Sequence, residues 1–291
     1  MWNQHSYNAE GRTGSLVIVP TPIGNLEDMT FRAIQQLKEA DLIACEDTRQ
    51  TKKLCNHFDI PTPLVSYHEH NKMKSGDKLL GQLQNGDTIA LVSDAGMPGI
   101  SDPGYELVKQ CVENQIPVIP LPGANAALPS LVSSGLPTDH FYFYGFLPRD
   151  KKTRKEELDY LASVRDSVIL YESPHRIKET LKKLAEVFGA DRKVSINREL
   201  TKKYEEIIRG NLEELQKWSE QEQIRGEFCI IIEGTGEIAQ ETDQWWLKLS
   251  IVEHIEHYIN EEKMSSKAAI KQVAADRGLP KREVYQMYHV Q

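Results

Sequence analysis

The sequence predicts an α/β protein of two α/β domains followed by a small helical C-terminal tail. Three observations carry that prediction. Apolar runs alternate with amphipathic segments from Leu16 to about Pro137, three of those runs end in Gly/Pro-rich loops, and 291 residues exceed what one hydrophobic core commonly supports.

The first domain, residues 15–137, follows a polar leader over 1–14 that carries no apolar core and is expected to be disordered. Its strands are expected at Leu16–Val19, Leu42–Cys45, Leu64–Tyr67, Thr88–Val92 and Val118–Leu121. The intervening helices include Thr30–Ala40, with Phe31, Ile34, Leu37 and Lys38 along one stripe, so the sheet is expected to be largely parallel with helices on both sides. The small-residue stretch Pro129–Pro137 closes a helix and marks a domain boundary.

The second domain, residues 138–236, opens on the aromatic run Phe141–Phe146, followed by a basic loop and a helix over Lys155–Val164. Further strands are expected at Val168–Tyr171, Val194–Asn197, Tyr204–Arg209 and Phe228–Ile232; no helix separates the runs between 194 and 209, which predicts antiparallel pairing. Residues 237–291 read as a linker and a helical tail, with two short helices between Ser265 and Tyr285 laid out as a helix-turn-helix.

Composition narrows the chemistry. Hydrophobic residues make up 40% and charged residues 27%, and no apolar run is long enough to span a bilayer. Cys45, Cys55, Cys111 and Cys229 are widely spaced with no C-x-x-C pair, so neither a zinc site nor a disulfide framework is expected, and His68, His70, His254 and His257 read as surface polar residues rather than ligands. The formal net charge of -8 argues against bulk electrostatic coating of nucleic acid. One segment runs against it: Arg149 to Lys155 holds five cations and one anion, with Arg176, Arg198 and Lys202 further on.

The most informative stretch is Thr88 to Gly104, an apolar strand running into Ser93-Asp94-Ala95-Gly96 and Ser101-Asp102-Pro103-Gly104, with Asp102 expected to cap a helix and Pro103 to begin it. Pro20 to Asp28 and Pro122 to Ala127 follow two other strands, and loops at the carboxyl ends of neighbouring strands converge on a ligand. Neither G-x-G-x-x-G nor G-x-x-x-x-G-K-[ST] occurs, and the first loop has one glycine, Gly24, and no lysine, so a less anionic ligand than a nucleotide phosphate is favoured.

Taken in order, Thr21-Pro22-Ile23-Gly24-Asn25-Leu26, Glu46-Asp47-Thr48-Arg49, the two motifs after Val92, Pro122-Gly123-Ala124-Asn125-Ala126, Gly145-Phe146-Leu147-Pro148-Arg149, Tyr171-Glu172-Ser173-Pro174-His175-Arg176 and Arg198-Glu199-Leu200-Thr201-Lys202 closely resemble the ribosomal RNA small subunit methyltransferase I family, a branch of the tetrapyrrole methylases. The resemblance runs from about Leu16 to Gly234. It implies a cytoplasmic homodimer that uses S-adenosyl-L-methionine, held in a cleft between the two α/β domains. The implied reaction is 2′-O-methylation of a decoding-region cytidine in 16S rRNA, on the RNA or the 30S subunit, with no metal and no membrane. By position in the family pattern, Pro22, Asp94, Ala95, Gly96, Asn125 and Ala126 of the first domain and Tyr171, Glu172, Arg198, Glu199 and Leu200 of the second are the implied cofactor contacts.

Methyl transfer to a ribose hydroxyl needs positioning and a proton acceptor. Glu46-Asp47-Thr48-Arg49 follows the second strand, so Asp47 or Glu46 is the candidate acceptor and Arg49 the substrate orienter; the competing reading is a helix cap with an ion pair. His175 is a second catalytic candidate. Arg149, Lys151, Lys152, Arg154, Arg176 and Lys202 are candidate RNA phosphate contacts, with Tyr142 or Tyr144 for stacking. Two alternatives stay open: a methyltransferase acting on a tetrapyrrole or another small molecule, and a non-catalytic ribosome-associated binding module.

Overall fold

A computed structural model describes residues 1–4, 14–221, 224–236, 246 and 249–289. The chain divides into two compact units, 1–236 and 237–291, and both α/β sheets belong to the first.

The first sheet contains β1 (Ser15–Ile18), β2 (Leu42–Cys45), β3 (Leu64–Ser66), β4 (Thr88–Val92) and β5 (Val118–Pro120), in the order β3-β2-β4-β1-β5 with every pair parallel. Its strands are apolar on both sides because helices cover both faces. Val17, Ile43, Cys45 and Ala90 pack on α1 (Phe31–Glu39) and α2 (Thr48–His57), whereas Leu16, Ile18, Ala44, Ile89 and Leu91 pack on α3 (Lys72–Gln84) and α4 (Tyr105–Glu113). The buried stripe of α1 is Ala33 and Leu37 with half-buried Ile34, while Phe31 and Lys38, expected in it, face outward and Phe31 is 93% exposed. Thr30 caps this helix by accepting from Ala33 N, which fixes its start at Phe31.

After β5, α5 (Ala127–Ser134) ends on Gly135 in the left-handed conformation, as the Ser-Ser-Gly break predicts. The second sheet has the order β6-β7-β10-β8-β9: β6 (Phe141–Phe146), β7 (Ser167–Glu172), β8 (Lys193–Arg198), β9 (Glu206–Asn211) and β10 (Phe228–Ile232). β6 and β7 are parallel and the other pairs antiparallel, including the expected β8–β9 pair. One face packs on α6 (Lys151–Ala162), α7 (Ile177–Phe188) and α8 (Leu212–Gln221) through Leu158, Leu161, Leu181, Leu184 and Leu215; the other meets α5 through Leu131, Ile169, Cys229 and Ile231.

Several expectations shift. The basic segment after Pro148 is the first turn of α6 rather than a loop, because Asp150 caps Thr153 through both its N–H and its hydroxyl. Asp102 does not cap α4: Gly104 occupies the cap position at φ 154°, and Pro103 lies before the helix. Of the leader, residues 5–13 lie outside the described residues, and Gln4 is held by two side-chain hydrogen bonds to the backbone of Val118 in β5.

In the second unit α9 (Ile251–Asn260), α10 (Ser266–Asp276) and α11 (Lys281–His289) share one core of Ile255, Tyr258, Ile270, Val273 and Val284. The turn between α10 and α11 passes through Gly278 at φ 63°, the helix-turn-helix layout expected, with α9 added. Most of the expected linker lies outside the described residues. No helix among the described residues is long and apolar enough to cross a membrane.

A Cβ on Gly104 would lie 2.9 Å from Gly99 N and 3.2 Å from Leu91 Cδ2, on a backbone turned to φ 154°. Gly104→Ala is therefore expected to destabilise the protein by about 1–3 kcal/mol in denaturant unfolding, through strain at one turn of the central loop.

Candidate functional site

The loops after β1 and β4 are tied together. Thr21 and Gly96 exchange backbone hydrogen bonds of 3.0 and 2.9 Å, Thr21 Oγ1 donates to Ser93 O, and Ser93 Oγ donates to Gly96 O. Gly96 is at φ 84°, where a side chain would be strained. The joined loops face the carboxyl end of β7 and the turn after β8, and a cavity of about 400 Å³ lies between them.

Its walls come from both sheets. Ile23, Asp94, Ala95, Gly96, Met97 and Asp102 contribute from loops of the first sheet, with Asn125 and Ala126 just before α5. From the second come Phe146, Tyr171, Glu172, Asn197, Glu199, Leu200 and Cys229. A second cavity of about 390 Å³ adjoins it, lined by Pro22, Gly24, Gln50, Lys53 and Leu54 and sharing Ile23, Asp94, Ala95, Lys202 and Glu227. Such volumes suit a small organic ligand beside a second group.

The structure thus brings together nearly all of the expected cofactor contacts. Pro22 lines the adjoining cavity instead, and Arg198 lines neither, since its guanidinium is turned to Arg225 O and Glu206. Glu172 is 2% exposed and its carboxylate is engaged, accepting from Thr180 Oγ1 at 2.7 Å and Ser173 N at 2.8 Å. The turn after β8 is strained: Glu199 and Thr201 have φ of 52° and 66°, and across the cavity Ser101 has φ 61°. Thr201 Oγ1 accepts from Asn25 N at 3.1 Å, so this turn also braces the loop after β1.

The carboxylates divide by environment. Asp47 caps α2 and is gripped by Arg49, whose Nη2 lies 2.6 Å from Oδ2; these hydrogen bonds hold its carboxyl down at about 2. The cap with its ion pair is the arrangement the structure shows for Asp47. Glu46, half-buried beside it, moves the other way, raised by burial and by the charge of Asp94. Asp102, half-buried in the cavity wall, is pushed up to about 6 by burial and the nearby Glu46 charge, against an opposing hydrogen bond with Ser93. It was legible in the sequence only as a helix cap; its titration depends on burial that no local pattern encodes.

The cationic candidates also divide. Arg149, Lys151 and Lys152 are exposed around the start of α6, as a phosphate contact requires. Arg154 is 7% exposed and bonds Glu179 at 2.5 Å, Arg176 holds the carbonyls of Leu147 and Pro148, and Lys202 is locked between Glu199 and Glu227 at 2.9 Å each. For Lys202 burial works against the charge, yet the two carboxylates raise its pKa overall. These three are structural pairs rather than phosphate contacts. His175 is exposed in the turn before α7, and the structure does not bring it into either cavity. Tyr142 stands edge-on to Tyr160, while Tyr144 packs against the second-domain core.

Beside the adjoining cavity, α2 exposes Arg49, Lys52 and Lys53, and Arg49 is 86% exposed. Only Arg49 was singled out from the sequence. The other two gain meaning from the helix that presents them.

Comparison with known proteins agrees with this geometry. A family model for Tetrapyrrole (Corrin/Porphyrin) Methylases matches residues 15–216. Proteins named Ribosomal RNA small subunit methyltransferase I are 58% identical in Halalkalibacterium halodurans, covering 99% of each chain, and 56% identical in Bacillus subtilis, covering 99% of this chain and 98% of that one. Among solved structures, uroporphyrin-III C-methyl transferase from Thermus thermophilus, complexed with S-adenosylhomocysteine, superposes with TM-score 0.53 at 20% identity, covering 77% of this chain and 98% of that chain. The methyltransferase CobJ superposes with TM-score 0.59 at 16% identity, covering 77% of this chain and 95% of that chain. The two-sheet architecture is therefore that of the tetrapyrrole methylases, and the chain belongs to the ribosomal RNA small subunit methyltransferase I family.

Proposed function

We propose that this methyltransferase moves the methyl group of S-adenosyl-L-methionine onto the 2′-hydroxyl of a decoding-region cytidine ribose in 16S rRNA, working in the cytoplasm as a homodimer. The observation that carries the reading is the cavity between the two sheets, with Asp102 in its wall and exposed cations on α2 beside the adjoining cavity. The cofactor supplies a methyl group on a sulfonium centre. The lining fits a molecule of mixed character: Asp94 and Asn125 on one side, Tyr171, Leu200 and Cys229 on the other.

Transfer is an in-line displacement in which the new O–C bond forms as the S–C bond breaks, so alignment supplies much of the rate. With the cofactor bound, Asp102 would take the hydroxyl proton as the oxygen gains the methyl group, and a neutral thioether would be the leaving group. Its titration near neutrality matches what a general base needs. Arg49, Lys52 and Lys53 hold RNA phosphates on one side and Arg149, Lys151 and Lys152 on the other, positioning the strand without reading sequence. Exposed Ile100, Tyr105, Leu128, Val132 and Phe146 lie on elements around the cavity and supply the apolar face of the homodimer. Sedimentation equilibrium is expected to return twice the 33.2 kDa of one chain.

Labelled methyl transfer to 30S subunits tests the roles directly. Activity is expected to rise through about pH 6 as Asp102 ionises and then level off, and Asp102→Asn to lose about 10²–10⁴-fold in kcat with cofactor affinity kept within a few-fold. Near-normal turnover in that variant rejects Asp102 as the base. Because the folded-state pKa is raised above the ordinary value of 3.8, the carboxyl favours the fold when protonated and loses that contribution as pH rises through about 6. Asp102→Asn should therefore be more stable than the parent by on the order of 1–3 kcal/mol near pH 8, with the gain gone below about pH 4. Arg49→Ala combined with Lys53→Ala should raise KM for subunits and flatten its salt dependence, leaving cofactor affinity unchanged.

A further inference from the structure

Among the described residues, one buried polar atom in the cavity has no hydrogen-bond partner. Asn197 is 1% exposed and lines the cavity, yet its Nδ2 makes no hydrogen bond, while its Oδ1 accepts from Ser133 Oγ at 3.0 Å. An unpaired buried amide donor carries a desolvation cost that a ligand's acceptor would remove.

Its surroundings are built. Asn197, Cys229 and Tyr171 are register partners across β8, β10 and β7, so they form one row on the face that meets α5. Ser133, on α5, keeps the Asn197 amide oriented, and Arg209 fixes that end of the helix by donating twice to Ser133 O, at 3.0 and 2.5 Å. The chain thus spends a serine and an arginine on aiming one neutral donor.

We propose that Asn197 is a specificity-determining residue that donates from Nδ2 to a ring nitrogen of the cofactor's adenine; this rests on the S-adenosyl-L-methionine reading above. The chemistry of the row selects the group. Tyr171, Cys229, Leu200 and Ala126 give a weakly polar setting around the unpaired Asn197 amide N–H, which suits a heteroaromatic ring carrying acceptor nitrogens. The cofactor's ammonium group would find its charged partner instead in Asp94, on the loop that forms the opposite wall.

Calorimetric titration with S-adenosylhomocysteine and its 1-deaza, 3-deaza and 7-deaza analogues tests this, since each analogue deletes one ring acceptor. The full-length parent is expected to bind one analogue about tenfold more weakly than S-adenosylhomocysteine. Asn197→Ala should bind S-adenosylhomocysteine about tenfold more weakly and bind that analogue no worse. Asn197→Ala also removes the Oδ1–Ser133 Oγ hydrogen bond and side-chain volume at a buried position, so its unliganded melting temperature should fall by a few degrees, and the ligand effect is read from the analogue ranking. Equal binding of all three analogues by the parent, or an unchanged analogue ranking in Asn197→Ala, overturns the proposal. A folded parent that binds no S-adenosylhomocysteine overturns the cofactor reading, and this inference with it.

Discussion

Thr21 and Gly96 exchange both backbone hydrogen bonds, joining the loop that leaves β1 to the loop that leaves the neighbouring β4, and the rest of the site depends on that pair. It holds Asp94 and Ala95 against Ile23 and so sets the first-domain wall of both cavities. The requirement reaches back to the sequence: a residue at φ 84° must close the pair, and glycine adopts that conformation at least cost. It also reaches across the molecule, because the same loop after β1 is braced by Thr201 from the turn after β8.

Around this frame the protein separates its charges by task. Carboxylates that are bonded on arrival, such as Asp47 with Arg49 and Glu172 with Thr180, act as struts. Asp102 is different because burial and neighbouring carboxylates raise its carboxyl to about 6, well above the ordinary carboxylate range. The cations divide in the same way. Arg154, Arg176 and Lys202 hold elements together, while Arg49, Lys52, Lys53, Arg149, Lys151 and Lys152 face solvent. A net charge of -8 is compatible with an RNA substrate when solvent-facing cations are gathered on two helices.

Much of the architecture was legible because its signals are local. β2, β4, β6 and β10 begin and end where the apolar runs do, and the antiparallel β8–β9 pair follows from the lack of an intervening helix. Errors came where a local rule met a tertiary demand. Asp102 and Pro103 look like the start of a helix, but the chain must first turn at Gly104, packed against Gly99 and Leu91. Phe31 looks like core, but the sheet takes Ala33 and Leu37. In the site, the cavity walls were readable from loops at strand ends, whereas Asn197 was not. It sits within a strand, and only the register that sets it beside Cys229, and the helix that brings Ser133 to it, make its amide conspicuous.

The central claim is that a ribose hydroxyl, aligned beside Asp102, receives the methyl group. The most direct measurement is to transfer labelled methyl from S-adenosyl-L-methionine to 30S subunits, recover the 16S rRNA and map the label by nuclease digestion and alkaline hydrolysis. The account predicts label on a single decoding-region cytidine, with the adjacent phosphodiester resistant to alkali because the 2′-oxygen is blocked. Label on a base, or cofactor binding with no label on any ribosomal RNA, would contradict it.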